Sequence, residues 1–80
     1  MSPEAARAIA ACGQQIRDAR HAQSLSVNDV AHAVEMSPTT VRGIEKGSPY
    51  AAIGRICILA EHLGVRFPFV ATPNSTGATP

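Results

Sequence analysis

Ser26-Val27-Asn28-Asp29-Val30-Ala31-His32-Ala33-Val34, then Glu35-Met36, then Ser37-Pro38-Thr39-Thr40-Val41-Arg42-Gly43-Ile44-Glu45-Lys46-Gly47, is the stretch that decides the fold. Ser26 followed three residues later by Asp29 reads as a helix N-cap with an acid in the first turn. Val27, Val30 and Val34 recur at spacings of three and four, the signature of one apolar helical face. Ser37-Pro38 is a second start, with proline at the first helical position, where its missing N–H costs nothing. Val41 and Ile44 then face inward, and Gly47 is placed to end the helix. Helices over 27–34 and 38–46, joined by a tight turn at Glu35-Met36, make a helix-turn-helix unit.

Working outward, Ser2-Pro3-Glu4 opens a helix over 5–22 that is rich in alanine and free of proline. Ile9, Cys12, Ile16 and Ala19 form its buried face. Gly13 interrupts it as a weak point, so the first dozen residues read as a looser extension. A fourth helix over 52–63 carries an apolar stripe of Ile53, Ile56, Cys57, Ala60 and Leu63, with Gly64 as its stop. Val65 to Val70 is extended in character around Pro68, and 71–80 is a polar tail with little to bury. The expected architecture is all-α: a small bundle of four to five helices with a short extended C-terminal segment. It divides into an N-terminal helical extension (1–11), the helix-turn-helix domain (12–65) and an extended segment with a flexible tail (66–80).

Eighty residues leave room for one small domain. Alanine supplies much of the 45% apolar content, so the core must be small and closely packed. No apolar run approaches the roughly 18 residues of a membrane span. Glu4 and Arg7 within 1–11 argue against a secretory leader, and a cytoplasmic location is expected. Cys12 and Cys57 are too few for a disulfide framework and read as small apolar residues with free thiols. His21, His32 and His62 lack ligand spacing, no nucleophile motif or phosphate-cradling glycine loop is present, and neither catalysis, metal nor cofactor is expected. The net charge of +1 is mild for a nucleic-acid binder, but it is unevenly spread. Arg42, Lys46 and Arg55 against Glu45 make 37–57 basic, whereas Asp29 and Glu35 make 26–36 acidic.

The central stretch, with Arg17 and Arg20 upstream and Leu63-Gly64-Val65 downstream, resembles the Cro/C1-type (Xre) helix-turn-helix family, whose lambda-repressor-like fold it would share. The segment Glu45 to Gly54 resembles the HipB-like antitoxin subgroup, in which a C-terminal strand replaces a fifth helix; Pro68 departs from that pattern. A small phage repressor or Cro-like regulator is the other subgroup the chain resembles. In this family Ala31 sits where two helices cross closely. The position of Glu35 often holds glycine, because a left-handed backbone is needed there, and glutamate adopts it at a cost of about 1 kcal/mol. Arg20 and Glu45 match a pair that links the first helix to the end of the recognition helix; the plainer alternative is two solvated charges.

The resemblance implies a sequence-specific repressor that binds an operator in double-stranded DNA as a homodimer, with the helix 38–46 in the major groove. Candidate base contacts are Pro38, Thr39, Thr40, Arg42 and Gly43. Arg42 suits the bidentate contact to guanine O6 and N7, and the threonines suit a thymine methyl or a hydroxyl contact. Pro38 offers only apolar contact and Gly43 none, so much of the discrimination falls to Arg42 or to DNA shape. Phosphate contact or plain solvation is the alternative for Arg42. Candidate phosphate contacts are the helix starts at Ser26, Val27, Asn28 and Ser37, together with Lys46 and Arg17. So few cations imply weak binding by one domain, and Leu63, Phe67, Phe69 and Val70 are the expected dimer contact. Alternatively those aromatics cover the edge of the core. A protein-binding module, or an antitoxin that neutralises a toxin or host factor with the same fold, is the competing function.

Overall fold

The computed structural model describes residues 2–65, and it is all-helical over that range. Four helices follow in order: α1 Pro3–Ala22, α2 Val27–Ala33, α3 Pro38–Glu45 and α4 Ile53–Leu63. Each of the first three begins at a serine whose side chain accepts a backbone N–H of the first turn: Ser2 from Ala5, Ser26 from Asp29 and Ser37 from Thr40. At Ser26 the bond is reciprocated, since the Ser26 amide donates to Asp29 Oδ2 at 2.9 Å and closes a capping box. The α4 start has no side-chain cap, because Ala52 occupies that position. The α2–α3 turn is made by Glu35 at φ 58°, the left-handed conformation expected there, and Met36 N–H then donates to the Ala31 carbonyl at 2.9 Å.

Packing follows from the apolar spacing. Ile9, Cys12 and Ile16 of α1, Val30 and Ala31 of α2, and Val41 and Ile44 of α3 join Ile56, Leu59, Ala60 and Leu63 of α4 in one buried cluster. α1 packs on both α3 and α4, and α2 packs on α3. Burying each of the large aliphatic side chains contributes about 1.5–3 kcal/mol.

Two readings of the sequence are corrected. Gly13 does not loosen α1: the helix runs through it unbroken, and a Cβ there would collide with the Ile44 carbonyl oxygen. The glycine is what lets α1 lie against the end of α3. The buried stripe of α4 is rotated from the expected one, with Leu59 fully buried and Ile53 47% exposed. Leu63 lies in the core, as its place in the apolar stripe predicts. Phe67, Phe69 and Val70, the extended segment around Pro68 and the polar tail lie outside the described residues.

Gly47, just beyond α3, is glycine for two reasons. Its φ is 79°, and a Cβ would stand 2.8 Å from the Ala10 Cα of α1. The Cys12 thiol titrates above its usual range, chiefly because it is buried and secondarily because Cys57 is nearby; both cysteines are free thiols.

The capping box gives the fold a pH signature. Hydrogen bonds from Ser26, its backbone amide first, hold the Asp29 carboxyl below the usual carboxylate range. A lowered folded-state value means that the box stabilises above the unfolded carboxyl pKa of about 4. Its contribution fades as pH falls through the folded value. In thermal melts followed by circular dichroism, Asp29→Ala should melt below the wild type at neutral pH, and the gap should narrow as the pH drops toward about 3. A gap that stays constant across that range contradicts this role.

Candidate nucleic-acid interface

α3 is amphipathic over only eight residues. With Val41 and Ile44 turned into the core, the helical period turns Thr39, Arg42, Gly43 and Lys46 outward. Thr39, Arg42 and Lys46 are exposed, and Gly43 is half-buried. Pro38 and Thr40 sit at the flanks, half-buried. The Thr40 hydroxyl shares a hydrogen bond with the Ser37 hydroxyl at 2.9 Å, so it serves the cap. Thr39 is the more accessible of the two threonines.

α1 brings further residues to the same side. A groove of about 530 Å³ between α1 and α3 is lined by Gln14, Arg17, Arg42, Glu45 and Lys46, among others. Arg17 therefore borders the same groove as Arg42 and Lys46. Gln14, three residues before Arg17 on the same helical face, was not singled out in the sequence. Its signal is its place on the polar side of α1, opposite the apolar stripe that decided the reading of that helix. Its amide donates to Asp18 Oδ1 at 3.0 Å.

Glu45 enters this groove with its charge already matched. Arg20 Nε donates to Glu45 Oε2 at 2.7 Å and Arg20 Nη2 to Glu45 Oε1 at 3.0 Å, a two-pronged pair. The two side chains are only 10% and 7% exposed. Arg20 Nη1 also donates to the Leu25 carbonyl at 2.9 Å, which ties the α1–α2 loop to the pair. The hydrogen bond to Glu45 holds the guanidinium proton more firmly than usual, although burial opposes it.

The two helix starts differ as anion sites. The Ser26 amide is occupied by the Asp29 carboxylate, which removes that donor from phosphate binding. Val27 and Asn28, at the first positions of α2, have no helical acceptor for their amides. Asn28 is exposed and Val27 half-buried. At α3, Pro38 has no N–H, and Thr40 donates to the exposed Ser37 cap, so Thr39 supplies the free amide of the first turn. Arg55 of α4 stands beside this start, lining a smaller hollow with Glu35, Met36, Ser37 and Thr40.

Among the described residues, no three His, Cys, Asp or Glu side chains gather as metal ligands, and no helix is long and apolar enough to cross a membrane. Large apolar side chains exposed to solvent are Tyr50, Ile53 and Ile58, on α4 and the loop before it. None of these had been singled out as a contact surface.

Removing Arg20 leaves a mostly buried carboxylate without its partner. Arg20→Ala should lose about 3 kcal/mol, lowering Tm by about 10–20 °C. The Arg20→Ala, Glu45→Ala double variant should recover part of that loss. Thermal melts of the four proteins check this, and additive losses would show that the two side chains do not act as a pair.

The helix-turn-helix domain family matches residues 11–66, which include all of the outward face of α3 and the groove residues Gln14, Arg17 and Arg20 of α1. No curated protein and no solved structure matches the chain. With more than half of its length matched and two capped helices joined through a left-handed turn, the chain belongs to the helix-turn-helix domain family.

Proposed function

We propose that the protein is a sequence-specific repressor of the Cro/C1 type, acting in the cytoplasm and binding an operator in double-stranded DNA as a homodimer. The observation that carries this reading is the outward face of α3, where Thr39, Arg42 and Lys46 are exposed while the helix is anchored from behind by Val41 and Ile44. Such a face enters the major groove, with α2 lying across the backbone. Arg42 reads guanine O6 and N7, Thr39 meets a thymine methyl or donates its hydroxyl, and Pro38 and Thr40 flank them with apolar contact. Lys46 and Arg17 hold phosphates, and the Asn28, Val27 and Thr39 amides add neutral donors. Phe67, Phe69 and Val70 supply the contact between protomers. The family match and the groove lined in common by Arg17, Arg42 and Lys46 support this assignment.

A second reading is favoured by one observation, the exposure of Tyr50, Ile53 and Ile58. It is a protein-binding role of the antitoxin kind, carried by these side chains. The two roles are compatible in one chain.

Gel-shift titration with DNA from upstream of the protein's own coding sequence tests the reading. Arg42→Ala should cut the preference for the cognate site over random duplex by about tenfold or more. Lys46→Ala should weaken binding to all duplexes alike and reduce the salt slope by about one. A wild-type protein that shows no site preference contradicts the assignment.

A further inference from the structure

Glycine has a visible cause at three of the described positions. Gly13 and Gly47 make room where α1 meets the end of α3, and Gly64 ends α4 at φ 76°. Gly43 and Gly54 have no such cause: neither φ is positive, and a Cβ at either would meet nothing within 4 Å among the described residues. Gly54 stands in the first turn of α4, whereas Gly43 lies inside α3. Inside a helix glycine is less favourable than every residue except proline. In an eight-residue helix that penalty falls on a large part of the element. The fold is therefore better served by alanine at this position.

Gly43 also has a defined place. It lies on the outward face, one residue from Arg42 and one turn from both Thr39 and Lys46. A missing side chain there bares the helix backbone and lets another surface approach it more closely, the other use of glycine in folded proteins. We propose that Gly43 is a specificity-determining position at which the α3 backbone comes directly against the floor of the major groove. This brings the short Thr39 side chain within reach of base edges. The inference rests on the DNA-binding reading and adds to it that a glycine, which offers no hydrogen bond, sets how deeply the helix seats. It also accounts for a reading helix whose outward side chains are so few.

The test uses the full chain and a duplex that the wild-type protein selects from a random pool. Gly43→Ala should raise Tm by about 4–8 °C yet weaken binding to that duplex by about tenfold. Gly43→Leu, also helix-compatible, should weaken it further. Gly54→Ala serves as the control, since Gly54 also has open space around it but lies on α4; binding should be unchanged. If Gly43→Ala binds as tightly as the wild type, or if it lowers Tm, the inference is overturned. If the wild type selects no sequence, the DNA-binding reading falls and the inference falls with it.

Discussion

The seating of α1 against the C-terminal end of α3 fixes the direction in which the second helix of the motif faces. Gly13 brings the two backbones into contact at Ile44, and Gly47 meets Ala10 one step further on. The Arg20–Glu45 pair locks the same junction with two charge-assisted hydrogen bonds. Three close contacts within a few residues leave α3 little freedom to roll. Rolling would bury Arg42 or expose Val41, and either change is costly. The orientation of the outward face is thus set by backbone contact and ion pairing at one end, and by apolar packing along the helix.

The same junction accounts for the local electrostatics. A glutamate at the end of a DNA-reading helix would repel phosphate, but Arg20 satisfies Glu45 within the protein. Arg17, Arg42 and Lys46 are then the uncompensated charges lining the groove. A chain with a net charge of only +1 can in this way present a basic surface where it is needed. Under the proposed DNA-binding role, three such charges favour a second copy of that surface, which is the physical argument for the proposed dimer.

Local chemistry made much of this legible in the sequence. Serine caps, a proline at a first helical position and valines at helical spacing each act within a few residues, and all placed their helices to within one or two positions. The left-handed Glu35 came from the family resemblance, in which that turn position often holds glycine. What could not be read depended on segments distant in the chain. Gly13 looks like a helix breaker unless Ile44 is known to lie against it. In α4, Ile53, Ile56, Ile58 and Leu59 spread apolar side chains around much of the helix, so periodicity alone could not choose which were buried. Gln14 was missed because a polar residue on an amphipathic helix gives no sign of what it borders.

The central claim is that α3, rather than any other surface, meets the duplex. Amide chemical shifts measured by nuclear magnetic resonance during titration with an operator duplex test it most directly. The account predicts that the largest changes fall at Thr39, Thr40, Arg42, Gly43 and Lys46, with smaller ones at Asn28 and Arg17, while Tyr50 and Ile58 stay in place. Changes centred on Tyr50, Ile53 and Ile58, with α3 unmoved, would contradict it.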